Sequence, residues 1–425
     1  MGTLTGEESA GGLKQSVLRS RGDVVGKRSV LQSGGDLAGW LTGSDPRGSL
    51  LARVVGLFRV HPTSAQSWST AWWHDLVSVL LGAWLAIGLF VDGWAHNALR
   101  GLETFFTPWH ALLYSGFLAC ALWYLGLTVR ARVSQRVPSL GAVPIGYGWG
   151  VAGVFLFGIG GLGDMVWHLF FGIEQGIDAL FSPTHLLLAV GLITILAAPL
   201  RAAWRGPSPR TGHTIRSFLP VILSLTLTVA VIAFFFMYLW TPLRPYHIVK
   251  SIYFSQFVAG GDVRASYITS GVTGMLVMTA VMIGGVLWLL PRWRPPFGTV
   301  TIVFGLVATL MSGIGAFQQA HLIWPQALAG LVGDVLVRLL DPAPARPTIF
   351  RVFAAALALV LWIGVLGTDA VYRGLGWSPE VIGGSVVWAT LTALGMAMLM
   401  TTGTVTRVGD PSTLHSPVAP GLGDD

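Results

Sequence analysis

Residues 109–129, 137–163, 179–200, 217–243, 265–291, 295–333 and 381–406 contain no Asp, Glu, Lys or Arg. Two shorter runs of the same kind occupy 76–91 and 352–368. A helix of about 18 or more apolar residues is long enough to cross the roughly 30 Å hydrocarbon core of a bilayer. Repeated runs of this length define an all-α polytopic membrane protein and exclude soluble folds. Composition agrees, with 53% of residues hydrophobic and only 11% charged. Ten transmembrane helices fit best, at about 76–96, 107–129, 147–170, 182–201, 218–240, 266–290, 297–321, 325–340, 350–372 and 382–403.

Arginine is distributed by loop. Arg53 and Arg59 precede the first span; loop 2–3 carries Arg130, Arg132 and Arg136, and loop 4–5 carries Arg201, Arg205, Arg210 and Arg216. Arg292 and Arg294, then Arg338, Arg346 and Arg351, then Arg407 continue the series on the same side. The opposite loops hold Arg100, then none, then Arg244, Lys250 and Arg264, then none, then Arg373. Cytoplasmic loops are enriched in Lys and Arg, so both termini are expected in the cytoplasm. Arg outnumbers Lys 23 to 3, which fits a high-GC bacterial genome and places the chain in a bacterial inner (cytoplasmic) membrane. The net charge of +7 follows this loop pattern and requires no nucleic acid.

Residues 1–70 read as a cytoplasmic, largely disordered tail without the order of a signal peptide. Within it, 49–60 has the pattern of an amphipathic surface helix. Residues 406–425 read as a second disordered tail. Cys120 stands alone in mid-span, so neither a disulfide framework nor a thiolate metal site is expected.

One motif occurs twice, each time astride a helix hairpin. The first copy is Asp92, His96, Glu103, then Phe106-Thr107-Pro108-Trp109-His110; the second is Asp164, His168, Asp178, then Phe181-Ser182-Pro183-Thr184-His185. Asp and His four residues apart share one face of a helix. In the closing [S/T]-P-x-H, Thr107 and Ser182 have the character of N-caps and Pro that of the first helical residue, which sets His110 and His185 at the third. The helix dipole there favours the neutral imidazole that binds metals. Asp92, His96, His110, Asp164, His168 and His185 are therefore the expected ligands. Glu103 and Asp178 are either further ligands or groups that orient the imidazoles. A carboxylate inside a span costs roughly 2.5–3.5 kcal/mol at mid-membrane and marks a functional site by default. Against metal binding stand a hydrogen-bond network capping the hairpins and a proton or ion pathway. His61, His74, His213 and His415 fall on the opposite side and read as incidental. His247, with Tyr246, Tyr253 and Phe254, reads as a lid over the site.

The pattern persists in degenerate form. Spans 7–8 keep His321 and Trp324-Pro325-Gln326, and spans 9–10 keep Asp369, Arg373 and Trp377-Ser378-Pro379-Glu380. Duplicated hairpins follow as the expected architecture, with metal-motif hairpins in 71–205 and degenerate ones in 206–405. Asp334 and Asp369 are expected to pair with Arg338 and Arg373 four residues on.

By ligand type alone the metal is Fe, Zn, Mn or Cu. The D-x3-H followed by a second His on the next span, at Asp92, His96 and His110 and again at Asp164, His168 and His185, resembles the membrane copper site in the C subunit of particulate methane and ammonia monooxygenases. The resemblance covers about 20 residues per copy and implies copper, with a copper-dependent membrane oxidoreductase as the function. The duplication and the ten spans depart from that family. A transporter or metal-handling permease using the same residues is the other class, and a structural subunit packed among other membrane subunits is a third.

Overall fold

The structure, a computed structural model, describes residues 68–99, 106–135, 142–172, 176–244 and 261–405. Glu103, segment 49–60, the tail 406–425 and the loop carrying His247 lie outside the described residues. The helices are α1 (Trp72–Ala98), α2 (Pro108–Gln135), α3 (Gly148–Phe171), α4 (Ile177–Phe181), α5 (Pro183–Leu196), α6 (Ala198–Arg205), α7 (Ile215–Phe235), α8 (Gly261–Leu289), α9 (Thr299–Ile314), α10 (Ile323–Leu340), α11 (Pro347–Tyr372) and α12 (Pro379–Val405). A 3-10 turn at Ala320–Leu322 leads into α10, and the described residues contain no strand.

Among the described residues, eight helices are long and apolar enough to cross a membrane, α5 and α6 together make a ninth segment bent by 42°, and α9 is a shorter apolar helix. Eight is fewer than the ten spans expected, and each shortfall has a local cause. At the bend, Pro199 has no N–H for the Ile195 carbonyl four residues earlier. The Tyr124 hydroxyl donates to that carbonyl instead, at 2.8 Å. Ser224 of α7 donates to Leu196 O and accepts from Leu200 N, so the broken turn is satisfied from two neighbouring helices. α9 stops at Ile314 between Gly313 and Gly315, and the chain then turns through left-handed φ values of 49° at Ala316 and 60° at Phe317.

The outward faces are apolar. On α3, Phe155, Ile159, Leu162, Val166 and Leu169 are all exposed, and their alternating four- and three-residue steps trace one helical stripe. Leu118, Leu122, Leu125 and Val129 do the same on α2. Stripes of this size fit a lipid environment. Inside, α7 is the most buried membrane-length helix and packs against α1, α5, α8 and α9.

α1 packs on α2, and α3 on α5, through glycines in matching register. A Cβ on Gly88, four residues before Asp92, would lie 2.6 Å from Leu113 Cα; one on Gly116 would lie 2.7 Å from Leu85 Cα. In the second hairpin, a Cβ on Gly160, four before Asp164, would lie 3.1 Å from Leu188 N; one on Gly191 would lie 2.7 Å from Phe157 N. Leu113 and Leu188 each follow the second His by three residues, and Leu85 and Phe157 each precede the Asp by seven. Small residues of this kind let helix backbones meet.

Both expected i,i+4 ion pairs are corrected. Asp334 is buried, and its carboxylate accepts from Val300 N and Thr301 N at 2.9 Å and from Thr301 Oγ1 at 2.6 Å, capping the start of α9. A mid-helix carboxylate here satisfies orphan amides of another helix, where the dipole favours negative charge. Asp369 meets His321 Nε2 at 3.0 Å, while Arg373 reaches Gln318 O.

Candidate metal centre

The ends of two helices and the starts of two others build the site. Asp92 and His96 lie in the last two turns of α1, and His110 is the third residue of α2. Asp164 and His168 lie in the last two turns of α3, and His185 is the third residue of α5. Both starts carry the expected cap. Thr107 Oγ1 accepts from His110 N at 3.2 Å, and Ser182 Oγ accepts from His185 N at 3.3 Å. Each cap fixes the direction in which its third residue projects, and the hairpin brings that imidazole onto the Asp of the preceding helix.

The donor atoms of Asp92, His96 and His110 lie within 4.8 Å of one another, as do those of Asp164, His168 and His185. His110 Nε2 is 3.3 Å and His96 Nε2 3.9 Å from Asp92 carboxylate oxygens. His185 Nε2 is 3.3 Å and His168 Nε2 3.5 Å from those of Asp164. Four donors about 2.0–2.1 Å from a tetrahedral cation stand about 3.3–3.4 Å apart, so these spacings fit a shared ion. Asp178 sits exposed in the short helix α4, and its carboxylate is not in either group.

Hydrogen bonds anchor the second group from outside. His168 Nδ1 lies 3.0 Å from Gly172 O, an acceptor only, so Nδ1 carries a hydrogen. Thr184 Oγ1 donates to Asp164 Oδ1 at 3.0 Å. Ser182 Oγ lies 3.2 Å from Thr184 Oγ1 and 2.7 Å from His185 Nδ1, so the hydroxyls and the ring form one connected network. A buried carboxylate and two imidazole Nε2 atoms converge, and such a donor set suits a cation.

The first group has the same donors and different support. Trp109 stands where the second copy has Thr184, so no hydroxyl at that position reaches Asp92. Asp92 Oδ1 is buried and without a hydrogen bond. A buried carboxylate oxygen without a hydrogen bond beside two imidazoles suits a cation.

Asp92, His96 and His110 line one cavity of about 80 Å³ together with Asp164 and His185. Its remaining wall is mostly apolar and includes Leu113, Phe157, Leu192 and Phe234. Tyr114, one turn after His110, also lines it, and its ring packs edge-on to both His110 and Phe157. The sequence did not single out Tyr114, although its i+4 spacing from His110 places it on the ligand face. Nor did it single out Thr184, the variable residue of the motif, or Phe234, which comes from α7 and carries no local signal.

Fold and site together define a helical membrane protein with two Asp/His groups able to hold metal. No protein-family model, curated protein or solved structure matches this chain.

Proposed function

We propose that this chain is a membrane metalloprotein that holds two transition-metal ions, copper by the resemblance of its motif, and acts as an oxidoreductase at the extracytoplasmic face. The observation that carries the reading is the donor clustering: in each group one carboxylate and two imidazoles offer ligand atoms within 4.8 Å of one another. His168 is oriented from outside by Gly172 O and His185 by Ser182 Oγ, as supports of metal-bound imidazoles are. Bound copper would supply redox chemistry and an open coordination position. Asp92, His96, His110, Asp164, His168 and His185 would hold it, Gly172 O and Ser182 Oγ orient two of the imidazoles, and an apolar wall surrounds the site.

The sidedness belongs to the same proposal. The motif ends of α1 and α3 adjoin the Arg-poor loops, and the Arg-rich loops cluster at the other end. There Arg210 meets Asp341 at 3.3 Å and Leu290 O at 2.8 Å, and Arg292 reaches Gly206 O at 2.8 Å. Ten spans, counting the bent α5–α6 pair and α9, then leave both termini cytoplasmic. A permease using the same ligands needs a polar route onward, whereas Leu85, Cys120, Leu192 and Ile195 are packed in the hydrophobic core of this half.

Elemental analysis of the purified protein tests the assignment. Two metal equivalents are expected, and none after combined Asp92→Asn and Asp164→Asn substitution. Metal-free protein after copper, iron and zinc loading, or unchanged content in the double variant, would refute it. Reporter fusions that put segment 99–106 in the cytoplasm would refute the sidedness.

A further inference from the structure

At the opposite end of the first hairpin a second set of polar groups lines an open groove. His74 is the third residue of α1, eighteen positions before Asp92, or about 27 Å along the helix at 1.5 Å per residue. The groove has a volume of about 560 Å³ and is walled by Trp73, His74, Trp123, Val129, Arg130 and Val133. His74 is only 3% exposed, and its ring stacks on Trp73 at 3.7 Å between centroids. Its Nδ1 accepts from Ala71 N at 3.0 Å, so the ring hydrogen resides on Nε2, and Nε2 is buried without a hydrogen-bond partner.

Arg130 lines the same groove as His74. Arg130 has no ion pair with an acid among the described residues. The adjacent carboxylate, Asp75, is engaged elsewhere, accepting from the Tyr147 hydroxyl at 2.7 Å. Two donors therefore border one groove without an anion.

We infer that this groove binds the headgroup phosphate of an anionic phospholipid, held by Arg130 with the His74 Nε2–H. Three observations favour a lipid. Trp68, Trp73 and Trp123 cluster around His74, and tryptophan gathers at the level of lipid headgroups. The groove runs through Val129 into the exposed stripe of Leu118, Leu122 and Leu125, a surface along which an acyl chain can lie. Arg130 also belongs to the arginine-rich end of the bundle, the side on which anionic lipids attract basic groups in a cytoplasmic membrane. A zwitterionic headgroup carries its own cation and would leave the site unneutralised.

The test uses the full chain in detergent, titrated with phosphatidylglycerol and with phosphatidylcholine and read by native mass spectrometry. One phosphatidylglycerol per chain should be retained in preference to phosphatidylcholine by about fivefold, the order expected of one basic residue at a membrane surface. Arg130→Gln, a change at an exposed position, should abolish that preference, and Arg130→Lys should restore most of it. His74→Phe, which keeps the stack on Trp73, should weaken retention while leaving the metal content at the other end unchanged. Equal retention of the two lipids by the unmodified chain, or an unaltered preference in Arg130→Gln, would overturn the inference. Displacement of the lipid by millimolar inorganic phosphate would also overturn it, by showing a free-anion site.

Discussion

Replacing Thr184 by valine removes one hydroxyl and almost no volume. Asp164 loses the donor at 3.0 Å. A hydrogen bond to a charged group contributes about 1.5–3 kcal/mol. Ser182 loses a neighbour at 3.2 Å in the network that orients His185. Groups that support metal ligands typically alter affinity by 10- to 100-fold, the same range as the lost hydrogen bond. Competition titration of the purified protein against a chromophoric chelator should therefore show one of two sites weakened about 10- to 100-fold, with far less change in the other. Thr184→Ser, which retains the hydroxyl, should bind nearly as the unmodified chain does. Affinities within twofold of the unmodified protein at both sites, or equal weakening of both, would refute the support of Asp164 by Thr184.

Four further outcomes are expected. Gly88→Ala should lower thermal stability in detergent by about 1–3 kcal/mol through overpacking against the Leu113 backbone, and metal content should fall with it. Asp334→Ala should cost about 3 kcal/mol or more by uncapping α9, whereas Arg338→Gln should leave stability unchanged; the reverse order would restore the ion-pair reading. Tyr124→Phe should cost about 1–3 kcal/mol by leaving Ile195 O at the bend unsatisfied, measured by chemical denaturation. His96→Ala should remove one metal equivalent and, because both groups border one cavity, weaken the other; full occupancy of the second would show that the two bind independently.

The helical class was legible because apolar length acts on each segment alone. The caps were legible for the same reason, since S/T-P-x-H is a local signal and the structure places Ser182, Pro183 and His185 as that signal requires. What the sequence hid depends on residues distant in the chain. Pro199 announces a break, but only the packed neighbour shows that Tyr124 accommodates it. Asp334 was assigned to Arg338 because four-residue spacing is the nearest available partner. The amides of α9 lie more than thirty residues away and win because they are orphaned and buried. The matching glycines were present in both copies, yet their register becomes meaningful only when Gly88 and Gly160 are seen against Leu113 and Leu188.

That register bears on what the two copies share. Corresponding glycines meet corresponding residues in the two hairpins, Gly88 at Leu113 and Gly160 at Leu188, which sets each Asp near the second His of its own group. One difference between the groups is Trp109 against Thr184. In the second group the Thr184 hydroxyl holds the carboxylate and Ser182 Oγ lies against His185. In the first copy Asp92 Oδ1 has no such support, so an ion there must supply the order that Thr184 and Ser182 supply in the other. Preorganisation raises affinity by lowering the cost of binding. The Asp164 group should fill first and release last, while the Asp92 group exchanges more readily across the same cavity. Sequential loading with one metal equivalent should therefore protect the Asp164 group before the Asp92 group, and equal filling of both would refute this order.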